Sequence, residues 1–184
     1  MAKVKEHIAL SGNNQDIDEI VAHFDDVSNS LKLFFSPTAP NFRERFKGYQ
    51  SPEINAELNL RLSETDTASG FTLLASLEAS FRTDYYLRVN MKRKDLLSQA
   101  FFALYQSKGL RVSLEEDILE QWKVYGKANN QLIGELRGAF KFRHWLAHGR
   151  YWIPKLGQKY DYYSLYVLAE RVLTTFAFID DKGK

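Results

Sequence analysis

The chain contains no cysteine, and that absence removes disulfide frameworks, thiolate metal sites and cysteine nucleophiles together. Proline is scarce, and three of the four, Pro37, Pro40 and Pro154, fall outside the stretch from about 50 to 130, which leaves that stretch free to be helical. Long uncharged apolar runs are missing too. The most apolar segment, Tyr162 to Ile179, is interrupted by Glu170 and Arg171, so it reads as a buried helix rather than a membrane span. The opening residues, Met1 to His7, hold no apolar run of the kind a secretory signal needs. A large excess of one charge is also lacking. The balance is 25 Lys and Arg against 23 Asp and Glu, a net +2, which permits nucleic-acid binding without arguing for it. The expectation is a cytoplasmic protein without a membrane anchor.

What is present is globular in character. Apolar residues make up 45% of the chain and aromatics 14%, enough for a packed core rather than disorder. At 184 residues one domain with a short N-terminal appendage is the simplest arrangement. Helical spacing of Ile17, Ile20, Val21, Phe24, Leu31 and Phe35 predicts a helix from Asp16 to Phe35, with Asn14 as its cap. Pro37, Pro40 and Pro52 bracket a loop with a short ordered piece. Glu53 to Leu62 is ambiguous between strand and helix, and its Glu, Leu and Arg content favours helix.

Thr67 or Ser69 is the expected cap of a long helix through Phe71, Leu77, Phe81 and Arg88. Further helices are expected over Asp95 to Gln106 and from Ser113 to Gly126, the latter opened by a Ser113–Glu116 capping box. Two more are expected over Asn130 to His148, broken by Gly149, and over Asp161 to Phe178. Strand signals are weak throughout. The predicted fold is an all-α bundle of about five to six helices, divided into an N-terminal helical extension (1–67) and a helical domain (68–184).

The helix ending at His148 carries the residues with chemistry. At about 100° per residue, Leu132, Leu136, Ala139 and Leu146, flanked by Phe140 and Ala147, form an apolar stripe with Arg143 in its middle. Arg137, Lys141, His144 and His148 fall on another side. An unpaired guanidinium on an apolar face is costly, so the plain reading of Arg143 is a structural salt bridge, to Glu78, Glu135 or Glu170. His148 is the last residue before Gly149, which lets its ring point off the helix end. It serves either as an ordinary cap or as a group for general acid–base work near neutrality.

The string Arg143-His144-Trp145-Leu146-Ala147-His148-Gly149 resembles the R-x4-6-H signature of HEPN domains, with four residues between arginine and histidine. His144 matches the polar residue that follows the arginine in that family, and Ala147-His148-Gly149 resembles its common ending. The resemblance spans roughly residues 68 to 180; residues 1 to 67 match no family feature. It implies a metal-independent endoribonuclease without a cofactor, of the kind found in toxin–antitoxin or antiviral defence systems. It also implies a homodimer with a composite active site and a cognate antitoxin or regulator as a further partner.

In that picture RNA supplies its own nucleophile, the 2′-OH. His148 acts as base or acid, Arg143 grips the scissile phosphate and His144 orients it. Arg143 and His148 lie about 140° apart on an ideal helix, so the helix end or a second subunit must bring the two functions together. Arg137, Lys141, Arg150 and Lys155 would hold the RNA backbone. Tyr151 or Trp152 would stack on a base, against the favoured alternative of core packing on Tyr162 and Tyr163. Some members carry a tyrosine two residues past the motif histidine, where a partner nucleotidyltransferase modifies it. Here Arg150 holds that place and Tyr151 follows, so no such modification is expected.

Three other readings compete. One is an inactive HEPN-like module that binds RNA or nucleotide, or only dimerises. Another is a zinc site on His144 and His148, spaced i, i+4, but Trp145 stands where a zincin glutamate would follow, and no metal is expected. The last is a helical interaction domain with a merely solvated basic face.

Overall fold

Asp16 opens the first helix. Its side chain accepts from the Glu19 N–H at 2.8 Å, while the Glu19 carboxylate accepts from the Asp16 N–H at 3.2 Å. This reciprocal box satisfies donors that a helix start otherwise leaves free. The cap lies two residues beyond Asn14, the position expected from sequence, because Asn14 has Ile17 rather than a carboxylate three residues on. The structure, a computed structural model, describes residues 10–109, 111–126 and 128–179.

In chain order the helices are α1 (Ile17–Phe34), the single turn α2 (Phe42–Arg45), α3 (Ser51–Met91), α4 (Leu96–Lys108), α5 (Leu119–Tyr125), α6 (Asn130–Ala147) and α7 (Tyr162–Thr175). A π-helical turn, Leu114–Ile118, runs directly into α5. The protein is all-α, with no strand among the described residues.

The long helix α3 organises the rest. Glu53 opens it by accepting from the Gln50 N–H at 2.6 Å, with Pro52 in the first turn, where its missing N–H costs nothing. The ambiguous segment Glu53 to Leu62 is therefore helical, and neither Thr67 nor Ser69 is a cap. The Thr67 hydroxyl donates to the Ser63 carbonyl at 2.8 Å, and Ser69 is buried. A hydroxyl that bonds back four residues is compatible with a helix interior, and the helix runs unbroken past the division expected near residue 67. The so-called extension also contributes to the main core. Ile17, Ile20 and Phe24 of α1 join Leu73, Leu74, Leu77 and Phe81 of α3 in one buried cluster with α4 to α7. A second, small cluster of Phe35, Phe46 and Ile54 covers the start of α3.

Ser113 caps the π-helical turn by accepting from the Glu116 N–H at 3.2 Å, but the returning half of the expected box is absent. The Ser113 N–H goes instead to Asp117 Oδ2 at 2.9 Å. The wider turn explains this, since the Ile118 N–H reaches the Ser113 carbonyl five residues back. That brings Asp117, rather than Glu116, over the free donor.

The C-terminal segment is tied down by the buried pair Asp84 and Arg88. Asp84 accepts from Arg88 Nε at 2.9 Å and from the Ile179 N–H at 2.8 Å, and Arg88 Nη2 donates to the Ala177 carbonyl at 2.7 Å. Buried charges persist when their hydrogen bonds are all met. Helix α7 buries one face, Tyr162, Leu165, Leu168, Ala169 and Val172, whereas Tyr163, Val167 and Leu173 on the other are exposed, so it is amphipathic rather than a fully buried helix. No helix among the described residues is long and apolar enough to cross a membrane.

Candidate functional site

Helix α6 is built to present its C-terminal end. Asn129 caps its start, accepting from the Gln131 N–H at 2.8 Å, and Leu132, Ile133, Leu136, Ala139 and Phe140 lock it into the core. At the far end Gly149 takes φ +80°. The Arg150 N–H returns to the Trp145 carbonyl and the Gly149 N–H to the Leu146 carbonyl, each at 3.2 Å. This is a Schellman closure, which needs a left-handed residue after the cap and so favours glycine. The loop beyond is pinned by the indole N–H of Trp145, which donates to the Trp152 carbonyl at 2.7 Å.

The closure leaves His148 as the cap residue, exposed and beside His144 one turn earlier. Their ring centroids lie 4.3 Å apart, and the Trp152 ring stands 6.1 Å from His144 and 6.4 Å from His148. Two imidazoles and an indole edge thus share one corner of the surface.

Arg143 faces the other way. Its Nη1 lies 2.9 Å from Glu78 Oε2 on α3, and its guanidinium carbon stands 5.6 Å from the Phe71 ring centre. Glu78 also accepts from Arg82 Nε at 2.7 Å. The salt bridge named from sequence as the plain reading of Arg143 is therefore present, with Glu78 as the partner. Arg143 Nε is buried without a hydrogen-bond partner. Within one chain Arg143 and His148 are turned to different sides of α6. Ala147, placed at the flank of the apolar stripe, is exposed.

The remaining cations divide into two kinds. Arg137 is committed, donating to the Glu115 carbonyl at 3.1 Å and to Glu120 Oε2 at 2.9 Å. Its guanidinium holds the Glu120 carboxyl below the ordinary carboxylate range. Arg150 is committed too, with Nη1 at 3.0 and 3.1 Å from the two oxygens of Glu64. Lys141 and Lys155 make no ion pair or side-chain hydrogen bond among the described residues. Both line a surface cleft of about 410 Å³ together with Glu115, His144 and Trp152. Tyr151 is 84% exposed, so it does not pack in the core as the favoured sequence reading had it. Trp152 is half-buried in the cleft wall rather than against Tyr162 and Tyr163.

Sequence reasoning missed Glu115, Glu64 and Glu120. The last two are acidic partners that arrive from distant helices, and nothing in local spacing points to them. Among the described residues no group of three or more His, Asp or Glu side chains is placed to hold a metal ion, so His144 and His148 lack the further ligands a zinc site uses.

Comparison with known proteins gives no matching family model, no matching curated protein and no matching solved structure. The class defined by fold and site is thus an all-α protein whose sixth helix ends in an exposed histidine pair beside a lysine-bearing cleft.

Proposed function

We propose that the protein is a metal-independent endoribonuclease of HEPN type, working at the C-terminal end of α6. The observation that carries the reading is the exposed His144–His148 pair, 4.3 Å between ring centres, at the edge of a cleft bearing two unpaired lysines. RNA cleavage by its own 2′-OH asks for little more. A base takes the 2′-OH proton, the 2′-oxygen bonds to phosphorus, and the 5′-oxygen leaves with a proton from an acid. The products are a 2′,3′-cyclic phosphate and a 5′-hydroxyl, with no metal in the balance. Lys141 and Lys155 draw in the phosphates.

In-line displacement puts base and acid on opposite sides of the phosphorus, whereas both histidines sit on one helix face. The complementary group is then His148 of a second copy, and the working unit is a homodimer. For Arg143 to steady the charge on the transition state there, its guanidinium must exchange Glu78 for the phosphate. A role in toxin–antitoxin or antiviral defence, with a cognate antitoxin or regulator, extends the same reading, as does a cytoplasmic location.

The Arg143–Glu78 salt bridge favours a second reading, in which Arg143 is structural and the module binds RNA without cutting it. One experiment separates the two. Wild type and the Arg143→Ala, His144→Ala and His148→Ala variants, each checked for helicity, are incubated with a panel of RNAs in EDTA. The expected result is cleavage to cyclic-phosphate ends by wild type and its loss in His148→Ala and Arg143→Ala. A wild type that binds RNA and leaves every member of the panel intact overturns the nuclease and leaves the binding module. Cleavage abolished by EDTA overturns the metal-independent mechanism.

A further inference from the structure

We infer that the cleft beside His144 is a nucleobase subsite that selects guanine, with Glu115 as the residue that reads the base. The inference rests on the RNA-cleaving reading and names the nucleotide that site accepts.

Charges of both signs line this cleft without neutralising each other. Glu115 is half-buried in its wall, and its carboxylate takes no hydrogen bond or ion pair among the described residues. Lys141 and Lys155 line the same space and are equally unpaired. The nearby arginines behave otherwise, since Arg137, Arg143 and Arg150 each hold a glutamate within about 3 Å. Opposite charges that share one cleft without an ion pair suit a ligand that offers both an anion and hydrogen-bond donors. A nucleotide has that pattern, and a volume of about 410 Å³ lies in the range of sites for ligands of such a size. Trp152 adds an aromatic wall of the kind on which bases stack.

The donor end decides which base. An ionised carboxylate only accepts. The pairing edge of guanine offers two adjacent donors, N1–H and the N2 amino group, matched to the two carboxylate oxygens. Adenine and cytosine each set one amino group beside a ring nitrogen that accepts, and uracil sets one N–H between two carbonyls. In these three the neighbouring acceptor faces a like-charged oxygen. Glu115 is also held in place for the task. Its carbonyl accepts from Arg137, which is itself fixed by Glu120, and Leu114 beside it is buried. His144 shares the cleft and touches the His148 ring, so a guanine seated here has its phosphate next to the proposed cleavage centre.

The test is calorimetric titration of the full-length protein with the 3′-monophosphates of guanosine, adenosine, cytidine and uridine. The guanosine compound is expected to bind about tenfold tighter than the others or better, as hydrogen bonds to a charged acceptor allow. Glu115→Gln keeps the shape and should bring the four within about threefold of one another. Lys155→Ala should weaken all four alike. Because Glu115 is unpaired, Glu115→Gln is expected to fold, and an unchanged melting temperature verifies it.

Equal binding of all four nucleotides, or a guanine preference that survives Glu115→Gln, overturns the inference. RNA cleavage without Glu115-dependent base preference does so while leaving the nuclease standing. Glu115-dependent guanine binding by a protein that cuts no RNA supports the subsite and removes the nuclease. A guanine-containing oligonucleotide with a 2′-deoxy sugar, and so uncleavable, distinguishes the source. Tighter binding than 3′-GMP marks an RNA chain, and equal binding marks a free nucleotide.

Discussion

Arg143 on α6 and Glu78 on α3 meet at 2.9 Å, with the Glu78 carboxylate shared between Arg143 and Arg82. The pair joins the helix that carries the histidines to the helix that organises the core. Removing Glu78 would leave a half-buried guanidinium whose Nε already lacks a partner. Glu78→Ala is therefore expected to lower stability by about 1 to 3 kcal/mol in urea denaturation. Arg143→Ala should cost less, since Glu78 retains Arg82. The double variant should cost less than the sum of the two single changes, by about 0.5 kcal/mol or more for side chains in direct contact. Strict additivity would show that the contact does not hold the helices together.

The division between committed and free cations makes a prediction for RNA affinity. Each lysine that neutralises a phosphate releases counterions, so Lys141→Ala and Lys155→Ala should each flatten the plot of log affinity against log salt by about 1. Arg137→Ala and Arg150→Ala should leave the slope nearly unchanged, because Glu120 and Glu64 already occupy those guanidinium groups. Arg150→Ala should also alter stability by less than about 1 kcal/mol, as exposed ion pairs contribute little. Equal slope changes for all four variants would mean that RNA displaces the glutamates.

Gly149 sets the corner at which the histidines sit. Its φ of +80° is a conformation that side chains with a Cβ rarely adopt, although nothing stands within 4 Å of where that Cβ would be. Gly149→Ala is therefore expected to destabilise by about 1 to 2 kcal/mol through backbone strain alone. Gly149→Asn should be milder, since asparagine tolerates the left-handed region. Under the nuclease reading, cleavage should fall with both changes in the same order, because relaxing the turn shifts His148 and the Trp152 wall. Circular dichroism melts and cleavage rates on the same samples test the parallel.

Local signals made most of the helices legible in sequence. Asp95, Ser113 and Asp161 each begin an element, and Gly109, Gly126 and Gly149 follow the ends of α4, α5 and α6 near where the chain's periodicity stops. The misplaced caps at Thr67 and Ser69 have a plain physical cause. Thr67 and Ser69 look like caps because hydroxyls are good caps, yet inside α3 the Thr67 hydroxyl is satisfied by a carbonyl four residues back. Only the packing of Leu73, Leu74 and Leu77 on several helices at once decides between the two. The arginine on the apolar stripe was legible as a salt bridge, since charge on a buried face demands a partner, and Glu78 was among the partners named. Glu64 and Glu120 were not, because they meet Arg150 and Arg137 across 86 and 17 residues, and sequence spacing carries no trace of such contacts.

Two carboxylates at the start of α7 should respond to acid with opposite sign. The backbone N–H and hydroxyl of Ser164 hold the Asp161 carboxyl below its ordinary value of 3.8. Its folded form binds fewer protons than its unfolded form. The stability it contributes is present above that ordinary value and is lost as pH falls through the lower folded one. Asp66 accepts from the Tyr162 N–H in the same turn, but burial pushes its carboxyl above 3.8. The folded state binds the extra proton there, so acidification from above that raised value favours folding. Asp161→Asn keeps an oxygen for the cap and removes the charge, so it should flatten the fall in stability as pH drops below the ordinary value of 3.8. Asp66→Asn should instead remove the gain in stability that acidification brings on the other side, from the raised folded value down to 3.8. Asp161→Ala should cost about 1 kcal/mol at neutral pH through loss of the cap itself. Urea midpoints measured across the acid range check all three, and slopes unchanged by either asparagine would mean that neither carboxylate governs the acid response of this helix end.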